Sequence, residues 1–342
     1  MSKLKSAFSI LFLLLFSIFL LCGCSFKLPD FSSEPIPVSN LPPEALFIDR
    51  DAIYNRTLAL IESAKTSIYV QQAEFDDPRL IALLLTKSRA GIDVRILLDQ
   101  WQKVNRSTLD QLKSQNVSIQ YYPAQKGQIN HTKYLIIDHS VAMIYGPPWT
   151  VDGLLAHDLA VELSGKSAWK VASVFSKDWE FTTTLPLPVP KTSTLPDDKI
   201  IPATNANVKQ QLAEKMSAST KSIWIEISEI SEITDPDLIQ ALIDAAEKGR
   251  DVRLILERAE TNKSVTLDTL KANNIQIRYF PSETPLGMHL AIFDNSTFVL
   301  SSSDWTRYSF VANHEFSITV PSPLASAKLG ELFLQDWEKS TE

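Results

Sequence analysis

Of the side chains in this sequence, His131 and Lys133 are the two whose types and spacing could do chemistry together. They open residues 131–138, HTKYLIID, an apolar, β-rich run. Side chains at i and i+2 of a strand share a face, so an imidazole and an ammonium should point into the same space. That pair suits attack on a phosphate: the ammonium binds the anion and the imidazole is the nucleophile.

An altered copy of this segment returns near the C-terminus, and so do the elements around it. Residues 67–75 (SIYVQQAEF) match 222–230 (SIWIEISEI), and 90–99 (AGIDVRILLD) match 248–257 (KGRDVRLILE). Residues 108–123 match 266–281, and Trp149-Thr150 matches Trp305-Thr306. FSKDWE at 175–180 matches FLQDWE at 333–338, and HTKYLIID matches GMHLAIFD at 287–294. The offset stays between 155 and 158 throughout, so the chain is one unit written twice. A Pro-rich connector at 183–198 separates the copies.

Each copy reads as helix, strand, helix, strand, helix, then several strands and a closing helix. The helix at LIALLLTKSRAG stops at Gly91, and VRILLD is a short aliphatic run of the buried-strand type. Alternating β and α elements predict an α/β fold, with a mixed, mostly parallel sheet and flanking helices in each unit. Two such pseudo-symmetric units should meet across a groove as one bilobal body. The expected boundaries are 45–182 for the first unit, 183–200 for the linker and 201–342 for the second.

The pattern HxKxxxxD, filled by His131, Lys133 and Asp138, resembles the phospholipase D superfamily. The GIDVRILLD block before it, the Trp-Thr step, HDLAVELSG at 157–165 and the closing FSKDWE strengthen that resemblance. The resemblance spans nearly everything from about Ala45 to Ser340. It implies two motifs meeting at one site and metal-free cleavage or transfer of a phosphodiester through a phosphohistidine. One histidine would attack phosphorus, the other would protonate the leaving oxygen, and the lysines would neutralise the phosphate. No cofactor is implied.

The second copy departs from that pattern. Gly287 stands where the second histidine belongs and His289 where the lysine belongs, while Asp294 is kept. The following GSxN step of the family reads Tyr145-Gly146-Pro147-Pro148 in the first unit and Ser301-Ser302-Ser303-Asp304 in the second. Asp304 puts a carboxylate where an amide would sit, which repels a bound phosphate. The catalytic candidates are therefore His131, Lys133, Asp138, Asp158 and His289. Asp138 is at odd spacing from His131 and reads as a structural member of its motif. Asp158 is expected to hold the His131 imidazole in its tautomer. Glu315 takes the equivalent place in the second unit and should partner His289. Ser302, Ser303 and Glu315 are the candidate substrate contacts. Loss of the second histidine should leave the site weak toward alkoxide leaving groups.

The N-terminus sets the expected location. Lys3 and Lys5 precede an apolar run from Ala7 to Leu21, too short for a membrane span and of signal-peptide type. Leu21-Cys22-Gly23-Cys24 resembles a bacterial lipobox, which implies a signal at 1–23, lipidation of Cys24 and a Pro/Ser-rich tether at 24–44. The body would then be lipid-anchored in the cell envelope, outside the cytoplasm. The chain has 2 cysteines, both in this segment, so its body has neither a disulfide nor a cysteine metal site. No paired acids with a histidine stand at metal-binding spacing either.

The formal charge is −7, and removal of the two-lysine signal takes it to −9. Such a body does not favour sequence-blind nucleic-acid binding, which rests on many phosphate contacts. Three functions fit this reading: a membrane-anchored phosphodiesterase acting on a phospholipid headgroup or a nucleic acid, an impaired relative that only binds phosphate groups or partners, and a cardiolipin-synthase-like phosphatidyl transferase.

Overall fold

Hydrophobic runs and turn residues set the architecture directly. The computed structural model describes residues 38–191, 195–258 and 264–342. The expected signal segment, Cys24 and most of the tether lie outside the described residues. Among the described residues no helix is long and apolar enough to cross a membrane.

The first unit holds seven strands: β1 (Leu46–Ile48), β2 (Ser67–Gln72), β3 (Asp93–Asp99), β4 (Ser118–Tyr122), β5 (Tyr134–Ile137), β6 (Val141–Tyr145) and β7 (Leu159–Ser164). They line up as β1-β7-β6-β5-β2-β3-β4. The second unit repeats this with β8 (Ile201–Thr204), β9 (Ser222–Ile227), β10 (Asp251–Glu257), β11 (Gln276–Phe280), β12 (Leu290–Phe293), β13 (Thr297–Ser301) and β14 (Phe316–Val320). Their order, β11-β10-β9-β12-β13-β14-β8, is the same arrangement strand for strand.

The α/β class and the doubled unit are as the sequence implies, but the strand directions are more mixed. Only β2–β3 and β3–β4 run parallel in the first sheet, and only β9–β10 and β10–β11 in the second. The remaining pairs are antiparallel, and among them β5–β6 and β12–β13 are joined by tight turns that leave no room for a crossover helix.

Local chemistry explains the helix that follows each central strand. Asp77 caps Pro78–Arg89 by accepting from the Arg79 and Leu80 amides. Asp235 caps Pro236–Glu247 in the same way through the Asp237 amide. Pro at the first position of both helices has its missing N–H where none is needed. Gly91 and Gly249, at φ of 87° and 78°, take the left-handed turn beyond the C-termini.

Three apolar cores result. One lies under each sheet's outer helices, around Ile61, Leu80 and Leu112 in the first unit and Leu212, Leu238 and Leu270 in the second. The third is shared. Tyr69, Tyr134, Phe175 and Trp179 of the first unit pack in one cluster with Phe316, Phe333 and Trp337 of the second. The closing helices Gly165–Thr183 and Pro323–Lys339 carry the FSKDWE and FLQDWE copies into this middle layer.

Two histidines bolt the units together in a crossed pattern. His157 Nδ1 bonds Asp49 Oδ1 (2.6 Å) of its own unit, and its Nε2 bonds Asp336 Oδ2 (3.0 Å) of the other. Its ring stacks on Phe280, 5.0 Å away. His314 repeats the device with Asn205 Oδ1 (2.9 Å), Asp178 Oδ2 (2.8 Å) and the Tyr122 ring at 4.4 Å. Burial works against charge on His157, but the Asp336 and Asp49 carboxylates outweigh it and raise its pKa to about 10.

The N-terminal end of the described chain is fastened at the far end of β14. The Ser39 amide donates to Pro321 O (2.7 Å), and the Ser322 hydroxyl donates to Leu41 O (2.8 Å).

With one core common to both sheets, the body should unfold in a single transition, monitored together by tryptophan fluorescence and circular dichroism. Asp178→Ala removes the acceptor from the buried His314 ring, and urea unfolding should show a loss of about 3 kcal/mol or more.

Candidate active site

The motif residues converge where the two sheets face each other. The segment at 131–133 is not itself strand. It is extended chain leading into β5, with the His131 amide donating to His314 O (2.8 Å) of the other unit. The mirror contact is the Gly287 amide donating to His157 O (3.0 Å). Each unit's motif is thus pinned against the other unit's lock histidine. A cavity of about 230 Å³ opens there, and His131, Lys133, Asp158, Gly287 and His289 share its wall with Gly146 and Gln102.

His131 and Lys133 face the same space, as their spacing implies. Lys133 is 4% exposed, so its ammonium is aimed into the site and not into bulk solvent. His131 Nδ1 points inward at Glu315 Oε1, 3.5 Å away. Glu315 is fully buried and is itself held by the Ser302 hydroxyl and the Asn313 amide (3.1 Å). Nδ1 makes no hydrogen bond among the described residues, so Glu315 acts on the ring as a nearby negative charge, and Nε2 is the nitrogen left to attack.

The carboxylate partnerships differ from those expected. Glu315, not Asp158, stands behind His131, because each acid follows its lock histidine into the opposite half-site. Glu315 is therefore not the partner of His289. That ring bonds Gly287 O through Nδ1 (3.0 Å) and Asp304 Oδ1 through Nε2 (2.7 Å). Asp304 also lies 4.0 Å from His131 Nδ1. Burial opposes its charge, but the His289 hydrogen bond and the nearby positive groups outweigh it and hold this carboxyl below the usual range.

Asp158 faces the other half-site. A Cβ placed on Gly287 would lie 2.4 Å from Asp158 Oδ2, and one on Gly146 would lie 1.7 Å from Oδ1. Asp158 thus occupies the space that side chains at those two positions would need. It is 1% exposed, and burial raises its pKa to about 7 against the pull of the Leu159 amide, His289 and Lys133.

Other candidates fall outside the cavity. Asp138, at φ 50°, turns away and accepts from the Lys65, Thr66 and Ser67 amides, which lowers its pKa against the opposing effect of burial. Asp294 does the same for Thr220, Lys221 and Ser222. These aspartates tie the β5 and β12 turns to the strands beside them. Ser302 props Glu315 and the Phe316 amide, while Ser303 accepts from the Trp305 amide (3.1 Å). Neither serine lines the cavity, so the reading of them as substrate contacts is corrected: both brace the loop after β13.

Sequence spacing also missed a group able to approach a cation. His157, Glu226 and Asp336, three residues far apart in sequence, bring ligand atoms within 4.8 Å of one another. His157 is already committed to two carboxylates, and Glu226 is buried with its pKa raised to about 8 by burial and by Asp336. The arrangement works as a charge lock. The identical DWE in both closing helices was the available signal for it.

This doubled architecture is matched by a family model. The model described as cardiolipin synthase, PLD-like domain, aligns with residues 57–179 and again with 212–337. The chain belongs to the phospholipase D superfamily. Among solved structures, the phosphatidylserine synthase of Haemophilus influenzae superposes with a TM-score of 0.68 at 13% identity, over 87% of each chain. The polyphosphate kinase of Porphyromonas gingivalis gives 0.65 at 15% identity, over 86% of this chain and 47% of its own. At such identities the likeness speaks for the fold alone. A comparison with curated protein sequences finds no match. Within the superfamily fold, this member has His131, Lys133 and Asp138 in one half and Gly287, His289 and Asp294 in the other.

The raised carboxyl of Asp158 predicts a sign for pH dependence. A carboxyl that holds its proton to about pH 7 when folded, but only to about pH 4 when unfolded, stabilises the fold less as pH rises between them. Wild-type stability should fall by roughly 3 kcal/mol between about pH 5 and about pH 8 from this group alone, and Asp158→Asn should remove that fall in urea titrations.

Proposed function

We propose that this protein is a phosphodiesterase of the phospholipase D type, with His131 as nucleophile and Lys133 as the phosphate-binding cation. The observation that carries this reading is the buried Glu315 carboxylate 3.5 Å behind His131 Nδ1, beside a lysine enclosed in the same cavity. In the first step Nε2 attacks phosphorus, the leaving oxygen departs, and Glu315 stabilises the imidazolium side of the ring. Water then attacks the phosphohistidine and releases His131.

A phospholipid headgroup is the favoured substrate. Trp101, Val151 and Leu155 are 46–47% exposed beside the lining residues Gln102, Gly153 and Ala156, which suits an amphipathic substrate. The formal charge of −7 argues against extended nucleic-acid contact. A binding-only role has one observation in its favour: Asp304 sits among the positive groups that would receive the phosphate. A transferase reading shares the same first step and differs only in whether water or an alcohol resolves the intermediate. In the proposed setting, Cys24 is acylated and tethers the body to a membrane outside the cytoplasm.

The purified body should hydrolyse bis-p-nitrophenyl phosphate, and His131→Ala should lower the rate on the order of 10³-fold or more. Activity should persist in EDTA, and complete loss that a divalent ion restores would sink the metal-free mechanism. For the tether, mass spectrometry of the mature N-terminus should find an acylated Cys24; an intact signal segment would exclude that setting.

A further inference from the structure

The phosphodiesterase reading leaves one step without a group: protonation of the leaving oxygen. Gly287 has no side chain to supply the proton. His289 is poorly placed to do so, since Gly287 O and Asp304 hold its two ring nitrogens at 3.0 and 2.7 Å. Lys133 is required as the cation.

Two carboxyl side chains line the cavity, Glu74 and Asp158; Glu74 is only partly buried, whereas Asp158 is enclosed against Gly287. Asp158 comes from the residue just before β7 and is 1% exposed. Its Oδ1 accepts from the Leu159 amide at 2.7 Å. Its Oδ2 makes no hydrogen bond among the described residues and lies toward Gly287, 2.4 Å from where a Cβ would stand. The side chain has advanced into the volume that the second motif leaves open. The groups facing it are His289, Lys133 and the lock histidine His157, with the apolar Ala156 Cβ and the bare Gly146 completing its surroundings.

We propose that Asp158 is the proton donor of this site, standing in for the imidazole that Gly287 cannot provide. The inference rests on the phosphodiesterase reading. In the first step, the His131 nitrogen forms a bond to phosphorus as the bond from phosphorus to the leaving oxygen breaks. The Asp158 proton passes to that oxygen, releasing an alcohol and leaving a carboxylate. In the second step a water attacks phosphorus and gives its proton to the Asp158 carboxylate. The P–N bond breaks, a phosphomonoester leaves, and both side chains return to their starting forms. A carboxyl suits both directions because burial keeps its proton affinity near neutral pH.

The two half-sites would then use the same pair of acids differently. Glu315 acts through a histidine, and Asp158, equivalent to it in the repeat, acts on the substrate itself. Gly287 is part of this arrangement, because any larger residue there meets Oδ2.

The test compares two leaving groups. Nitrophenolate departs without a proton, whereas an alkoxide needs one. Wild type, Asp158→Asn and Gly287→Ala should be assayed on bis-p-nitrophenyl phosphate and on glycerophosphocholine, with thermal melts to confirm folding. The alkyl-to-nitrophenyl rate ratio should fall by about 10²-fold or more in Asp158→Asn. It should fall in the same direction in Gly287→Ala, which displaces the carboxyl without removing it. The limb of the alkyl pH–rate profile that reports the acid should vanish in Asp158→Asn. An unchanged ratio in both variants overturns the proposal. So does a wild type that cleaves the nitrophenyl diester and not the alkyl one, a result that leaves His131 chemistry intact. A wild type inactive on both substrates removes the phosphodiesterase reading and this inference with it.

Discussion

The crossed pairing of His157 with Asp336 and of His314 with Asp178 is the constraint on which this structure turns. Neither half-site is built from one unit, because the acid beside each motif belongs to the opposite unit. The two units must therefore meet in one register. Each lock histidine does two jobs toward that end. Its ring is clamped between a carboxylate and an aromatic ring of the partner unit, while its backbone bonds the partner's motif directly. The acid one residue later, Glu315 or Asp158, is delivered into the other half as a result. Nonspecific burial of Phe316 or Trp337 could not set that register, because apolar contact is non-directional.

Repetition made much of the fold legible. Matching segments at a nearly constant offset gave two units, and aliphatic runs such as VRILLD gave their central strands. Strand direction was less legible. The β5–β6 and β12–β13 turns lack a Gly-rich hairpin signature, so the antiparallel half of each sheet does not announce itself. Asp138 and Asp294 close those turns instead, through carboxylate bonds to amides some 70 residues earlier in the chain. Within the site, His131 and Lys133 could be read because their relation is local. The acid partnerships could not, because swapping Glu315 and Asp158 between half-sites leaves every sequence spacing unchanged. Only the crossing of the units decides it.

The two halves have also drifted apart beneath the site. Gln71 in the first unit bonds Asn130 and Tyr134, and Tyr134 reaches Asp178, so that side of the lock is a continuous hydrogen-bonded network. In the second unit the corresponding residues are Glu226, Leu286 and Leu290. Neither Glu226 oxygen finds a hydrogen-bond partner among the described residues, and burial, with the neighbouring Asp336, raises its carboxyl well above the ordinary range. The motif of His131 and Lys133 therefore sits over a hydrogen-bonded network in which Asn130 Nδ2 alone is left without a partner among the described residues, and the altered motif sits over a carboxyl that has none.

The join between Ser39 and Pro321 gives the body a polarity. β14 begins just after Glu315 and ends at Val320, so the Ser39–Pro321 bond lies about 17 Å along the strand from the site. The full length of a strand thus separates the Ser39 fastening from the mouth of the cavity. The strand acts as a spacer that keeps this fastening mechanically remote from the cavity.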